Sequence, residues 1–253
     1  MGANKKPKLA AGDDESGQAR STSASPTPSN SDRSNKHRSS AHATPAPTRR
    51  DHDIQAQRMS LPVAEYQADI QRAIRENQVV IIAGETGSGK STQVPQFVLE
   101  DVIASGGTGQ VFCTQPRRIS ATSIATRVAS EWGDARVGDT IGYSVKLESK
   151  VSSKTRLVFC TTGILLRRLE SDPTLQGISH VLVDEVHERS LDSDFLLVML
   201  RRLTATRPDL RIVLMSATMN ESQFSAYFDR CPVLSIPGRT FPVERMYLED
   251  VVE

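Results

Sequence analysis

Apolar residues are distributed unevenly along the chain. Before Tyr66 there is no aromatic residue and almost no Val, Ile or Leu. Beyond it, short apolar runs alternate with longer stretches at helical spacing. Val79-Val80-Ile81-Ile82-Ala83 predicts a buried strand, and Val94, Phe97, Val98 and Val102 then predict a helix over 90–103. Val111-Phe112-Cys113-Thr114 is a second strand, Gln115-Pro116-Arg117-Arg118 a turn, and 119–132 a helix with Ile124, Ala125, Val128 and Trp132 on one face. A weaker strand follows at 141–145 and a strong one at Leu157-Val158-Phe159-Cys160, then a short helix through Leu165, Leu166 and Leu169. Val181-Leu182-Val183 is a strand ending in Asp184, 194–203 a helix, and Ile212-Val213-Leu214-Met215 a strand. Phe224, Tyr227 and Phe228 lie on a short helix, and 233–236 is a last strand. Upstream, Pro62 suits a first helical turn, with Val63, Tyr66, Ile70 and Ile74 following at three- and four-residue spacing.

These strands are apolar throughout, so both of their faces are covered. Alternation with helices then gives an α/β fold with a parallel, doubly wound sheet. In such sheets ligands sit beyond the carboxyl ends of the strands.

Composition divides the chain. Residues 1–58 are rich in Ser, Thr, Ala, Pro, Lys and Arg, too poor in apolar surface to offset chain entropy, and are expected to be disordered. The folded part is expected over 61–238. The formal net charge is +1. Residues 1–60 carry about +4 and the rest about −3, a mild asymmetry that leaves nucleic-acid binding open. Cys113, Cys160 and Cys231 form no CxxC pair and no metal spacing, which fits core thiols in a reducing compartment. No segment approaches a membrane span or the apolar core of a signal peptide. Lys5-Lys6-Pro7-Lys8 reads as a solvated basic run, with a nuclear signal as the alternative. The expected compartment is the cytoplasm.

The chemistry concentrates at three strand ends. Gly84-Glu85-Thr86-Gly87-Ser88-Gly89-Lys90-Ser91 has the G-x-x-x-x-G-K-S pattern between a strand and a helix. Its glycines let backbone N–H groups close on phosphate oxygens, and the helix N-terminus adds partial positive charge. Lys90 can reach the β- and γ-phosphates of a nucleoside triphosphate, and Ser91 can ligate Mg²⁺. Asp184-Glu185-Val186-His187 ends another strand. Asp184 can hold Mg²⁺ through water, and Glu185 is the right type to deprotonate an attacking water. His187 stands beside them as a candidate for coupling or catalysis. A phosphate-loop GTPase would need an Asn-Lys-x-Asp motif, which the sequence lacks.

The D-E-x-H form of 184–187 resembles superfamily 2 helicases of the DEAH/RHA group, over about residues 61–253. Gly84 to Thr92 is similar to motif I, and 114–121 to motif Ia. Residues 161–167 resemble the RNA-contacting motif that follows, 184–189 motif II, and Ser216-Ala217-Thr218 motif III. The resemblance implies a three-layer RecA-like fold, ATP and Mg²⁺ as cofactors, with Ser91, Asp184 and Glu185 at the metal, and ATP hydrolysis coupled to RNA binding and unwinding. It further implies that Arg127 stacks on adenine. Arg117, Arg118, Thr161 and Thr162 would contact the backbone of single-stranded or duplex RNA, and Ser216 and Thr218 would couple nucleotide state to strand binding.

Val186 stands where the group usually has alanine, and Thr162 where aspartate is common. Both variants look like the translation- and ribosome-linked branch, so a ribosome or ribonucleoprotein is an expected partner. Residues 239–253 resemble the start of a connector into a second RecA-like domain, so the chain reads as the ATP-binding half of the motor, a fragment weakly active alone. The rival reading is a nucleotide-gated RNA-binding or scaffold protein without efficient hydrolysis.

Overall fold

In the computed structural model, residues 52–217 and 221–238 are described. The strands are β1 (Val79–Gly84), β2 (Gln110–Gln115), β3 (Ile141–Val145), β4 (Glu148–Lys150), β5 (Leu157–Thr161), β6 (Ile178–Val183), β7 (Arg211–Ser216) and β8 (Val233–Ile236). They form one sheet in the order β4-β3-β5-β2-β6-β7-β1-β8. Every pairing is parallel except β3 with β4. The helices are α1 (His52–Met59), α2 (Gln67–Glu76), α3 (Lys90–Ala104), α4 (Arg118–Trp132), α5 (Thr162–Ser171), α6 (Leu191–Thr206) and α7 (Glu221–Tyr227).

The apolar strands divide their residues between two cores, as the period of two along a strand requires. Val80 and Ile82 of β1 join Ile70 and Ile74 of α2, Phe97 of α3 and Trp132 of α4 on one face. Val79 and Ile81 of the same strand join Leu165 of α5, Leu200 of α6 and Phe224 of α7 on the other. The three-layer, mostly parallel α/β architecture is therefore the one that the apolar runs predict. No helix among the described residues is long and apolar enough to cross a membrane.

Four differences from the sequence reading have physical causes. The segment expected to be disordered through residue 58 ends in α1. That helix has no apolar stripe, and its one buried residue is Arg58, held by Gln93 and Glu100 of α3. The helix expected from Pro62 is split into a 3-10 turn over Pro62–Tyr66 and α2. α6 starts three residues earlier than its apolar residues suggest, because Ser190 caps it by accepting from the Ser193 N–H at 3.2 Å. The short edge strand β4 is exposed and carries no apolar pattern. Thr218 and the connector at 239–253 lie outside the described residues.

One half-buried histidine contributes an acid sensitivity to the fold. His180 lies within β6, between Val111 and Arg211 on the neighbouring strands, with Nδ1 2.9 Å from the Ser179 hydroxyl. Burial, aided by the Arg211 charge, lowers its pKa from 6.5 to about 4. Between those values the unfolded chain binds a proton that the folded chain refuses, so stability falls as pH falls through the window. His180→Gln should remove on the order of 1–3 kcal/mol of that acid loss. Urea midpoints of both proteins at pH 7 and pH 4.5 measure it, and parallel pH profiles would show that His180 titrates freely.

Candidate functional site

The phosphate loop leaves β1 at Gly84 and enters α3 at Lys90. Gly87 and Gly89 have φ of 84° and 93°, a region costly for any residue with a Cβ. Gly89 is constrained twice, since a Cβ there would also come within 3.0 Å of the Leu61 side chain and 3.1 Å of Val63. The 3-10 turn therefore braces the loop from outside, and the Val63 N–H donates to the Ser88 carbonyl at 3.1 Å. Inside the loop, Lys90 Nζ donates to the carbonyl of Gly84, to that of Glu85 at 2.9 Å and to Ser88 Oγ at 3.1 Å. The cradle thus concentrates a lysine ammonium and a helix N-terminus at one point, the arrangement that suits polyphosphate.

Asp184 follows β6, two strands away from β1, and is buried. Its Oδ2 accepts from Gln115 Nε2 at 2.7 Å and its Oδ1 from the Glu185 N–H at 2.9 Å. Burial raises its pKa above the usual carboxylate value, opposed by hydrogen bonds from Ser91, Gln115 and Glu185 and by the Lys90 charge. Burial likewise lowers the Lys90 pKa, opposed by Asp184, Glu185 and Glu85. Among the described residues no group of three or more His, Cys, Asp and Glu is arranged to hold a metal. The oxygen pair of Ser91 and Asp184 instead suits a hard cation that keeps most of its shell from water and substrate phosphates.

Glu185 adopts a left-handed backbone, φ 54° and ψ 38°, which turns the chain sharply after the strand. Burial and the neighbouring Asp184 charge raise its pKa, as a general base requires. His187 binds it from one side and the end of β7 from the other. Its Nδ1 accepts from the Ala217 N–H at 3.2 Å, and its Nε2 lies 3.3 Å from Glu185 Oε2. The first contact leaves Nδ1 without a proton, so Nε2 carries the hydrogen and donates it to the carboxylate. Ser216, expected to couple nucleotide state to strand binding, is buried at the end of β7, and the backbone N–H of the next residue, Ala217, meets His187.

Thr86, Gly87, Gly89, Lys90, Ser91, Thr92, Arg127 and Glu185 line one cleft of about 300 Å³ together with Leu61, Glu131 and Ala217. Of the residues expected at the nucleotide, Gly84, Glu85, Ser88, Asp184 and His187 do not line this cleft. Ser88 is buried behind the lining residues, and Glu85 is exposed at the loop's start with Gly238 against its side chain. A Cβ on Gly238 would come 2.5 Å from that of Glu85, so only glycine lets the chain leave β8 across the loop. Arg127 is tied by its Nε to Glu131 Oε1 at 2.6 Å.

A second cleft, of about 410 Å³, opens beside the first at the same ends of β2 and β5. Arg117, Arg118, Thr161 and Thr162 all line it. Thr162 is nearly buried, so Thr161 offers the wider surface. The structure adds Lys146, from the turn between β3 and β4, and Arg167 of α5. Arg117 pairs with Glu188 of the 184–189 motif at 3.2 Å. Glu131 and Lys146 had no role from sequence. Gln115 and Arg167 lay inside the stretches resembling motif Ia and the RNA-contacting motif but were not singled out, although Gln115 directly follows an apolar run at a strand's carboxyl end.

The comparisons with known proteins agree with this geometry. The DEAD/DEAH box helicase family matches over residues 64–225. The chain is 53% identical over 207 residues to the putative ATP-dependent RNA helicase DHX57 of Homo sapiens, covering 81% of this chain and 15% of that protein. It is 52% identical over 202 residues to the DExH-box ATP-dependent RNA helicase DExH1 of Arabidopsis thaliana, covering 79% and 20%. It is 53% identical over 203 residues to the ATP-dependent RNA helicase dhx29 of Xenopus laevis, covering 78% and 15%. The chain thus spans between 15% and 20% of the length of these relatives. With the family match extending from the 3-10 turn through both motif-bearing strand ends to α7, this chain belongs to the DEAD/DEAH box helicases.

Proposed function

We propose that this chain is the ATP-binding half of an ATP-dependent RNA helicase, coupling hydrolysis to RNA binding and unwinding. The observation that carries the reading is the meeting of Lys90, Ser91 and Glu185 at one cleft, with Asp184 buried behind them within reach of Ser91 and the Lys90 charge, and a basic groove at the neighbouring strand ends. Lys90 and the loop N–H groups bind the β- and γ-phosphates. Ser91 and Asp184 would hold Mg²⁺, with Glu185 close by; the ion supplies charge neutralisation on the phosphates when bound. Glu185 takes the proton of the attacking water. His187 fixes the Glu185 carboxylate and ties it to β7, so that Ser216 and Thr218 can report the nucleotide state. Arg127 stacks on adenine. Glu185 also argues against the rival non-hydrolysing scaffold, which has no use for a base there.

The groove side binds the phosphates of RNA through Arg117, Arg118, Thr161 and Thr162. Arg127 is the one arginine lining the nucleotide cleft among the described residues. We infer that a second RecA-like domain supplies the arginine that neutralises the transferred phosphate, an effect of about 10³–10⁵ in rate where it has been dissected. Val186 and Thr162 favour a ribosome- or ribonucleoprotein-linked branch. Three free cysteines, all buried, fit a reducing compartment such as the proposed cytoplasm.

Lys90→Ala should abolish ATP binding while the far-ultraviolet circular dichroism stays unchanged. Unaltered affinity in a filter-binding assay would end the phosphate-loop assignment. Glu185→Gln in the full-length enzyme should preserve ATP and RNA binding and lower turnover by about 10²–10⁴, since the amide keeps the size and loses the base. Undiminished steady-state hydrolysis would remove Glu185 from that role, and equal turnover by the 253-residue chain alone would remove the need for a second domain. RNA binding by this chain should weaken steeply as salt rises. Replacing Arg117, Arg118 and Arg167 together by Ala should flatten the slope of log K against log salt by about 2, at about 0.7 per phosphate contact on a single strand. An unchanged slope would move the RNA to another surface.

A further inference from the structure

A buried polar chain runs from α1 into the nucleotide cleft. The Arg58 side chain is only 5% exposed. Its Nε donates to Gln93 Oε1 at 2.7 Å and lies 3.9 Å from Glu131 Oε2, and one terminal nitrogen reaches Glu100 Oε1 at 3.4 Å. Glu131 is as deeply buried. Its Oε2 accepts from Gln93 Nε2 at 2.9 Å and Gln96 Nε2 at 2.7 Å, and its Oε1 accepts from Arg127 at 2.6 Å. One buried carboxylate is therefore shared by two arginines, one sealed under α1 and one lining the cleft.

We infer that Glu131 and Arg58 are positioning residues for the nucleobase. They fix the Arg127 guanidinium in the cleft and make α1 part of the nucleotide site. This rests on the reading of Arg127 as the residue that stacks on adenine.

The physical argument has three steps. The Arg127 side chain is 58% exposed, and a free arginine at that exposure spreads over many rotamers. Fastening it through Nε restricts the plane while leaving the terminal nitrogens and the flat face toward the cleft, the geometry that a π-face needs. A buried carboxylate can hold that position only if its own charge is compensated. Two glutamine amides and Arg58 provide that compensation from behind. Without Arg58, the buried Glu131 carboxylate draws Arg127 inward, which releases the plane. Arg58 is also the one buried residue of α1, so the helix docks and the plane is set by the same side chain.

The experiment compares Mg-ATP with Mg-tripolyphosphate, a probe without base or sugar, by calorimetric titration of the full chain. Arg127→Ala, Glu131→Gln and Arg58→Met should each weaken ATP binding about three- to tenfold, the scale of one stacked guanidinium, and leave tripolyphosphate within about twofold. Adding Arg58→Met to Arg127→Ala should cost nothing further, because Arg58 acts through Arg127. Equal losses for both ligands, a double variant that multiplies the two single losses, or unchanged ATP affinity in Glu131→Gln would each overturn the inference. If Arg58→Met loses helix content, Glu131→Gln decides, because its amide oxygen still accepts from Gln93 and Gln96. A Lys90→Ala variant that still binds tripolyphosphate would instead strike the phosphate-loop reading itself.

Discussion

A buried lysine ammonium and a buried carboxylate, with a second, half-buried carboxylate beside them, are the constraint around which this domain is arranged. Burial alone disfavours the charged form of each. The Lys90 pKa is lowered and those of Asp184 and Glu185 are raised by it; Lys90 and the two carboxylates oppose each other's shifts, while Asp184 pushes that of Glu185 further up. The lysine thus compensates both carboxylates, and amide and hydroxyl donors around Asp184 complete the compensation. The sheet order gives this cluster its geometry. β6 leads to the two carboxylates and β1 to the lysine, and β7 runs between them. Just past the end of the middle strand, the Ala217 N–H orients the histidine that touches Glu185. A parallel sheet places all three strand ends on one edge, which an antiparallel arrangement of the same strands would not.

The fold was legible because its signal is the burial of strands on both faces. Runs such as Ile212-Val213-Leu214-Met215 supply residues to two cores at once, and no other arrangement uses them so completely. What escaped was held by polar tertiary contacts. α1 has a single anchor, an arginine, and arginine in a Ser- and Pro-rich approach reads as solvated until its carboxylate partners, 42 and 73 residues downstream, are in place. Glu131 escaped for the same reason: on a helical face it looks like an exposed acid next to Trp132.

The phosphate loop was legible from spacing because its chemistry lies within eight consecutive residues. The loop's outer support was not. Gly89 needs its missing Cβ for two reasons, a backbone angle that the motif announces and a contact with Leu61 and Val63 that only the fold reveals. The short apolar segment before α2 thus has a function in holding the loop beyond starting a helix. The exit from β8 does the same on the other side, where Gly238 leaves room for Glu85. Both ends of the described domain press on the loop that binds phosphate.

The nucleotide cleft and the basic groove are joined by two unequal rungs between the end of β2 and the motif after β6. Gln115 to Asp184 is buried and short, and Arg117 to Glu188 is exposed on the arginine side. A buried hydrogen bond to a carboxylate is costly to leave unmade, while a surface ion pair contributes about 0–1 kcal/mol. A phosphate entering the groove can therefore take Arg117 from Glu188 at small cost while Gln115 keeps its hold on Asp184. The freed Glu188 belongs to the same turn as His187 and Glu185. On the proposed function, a strand in the groove would perturb the turn carrying Glu185 from its outer end while Asp184 stays fixed. That division would let a bound strand act on the turn without disturbing the buried side of the nucleotide cleft.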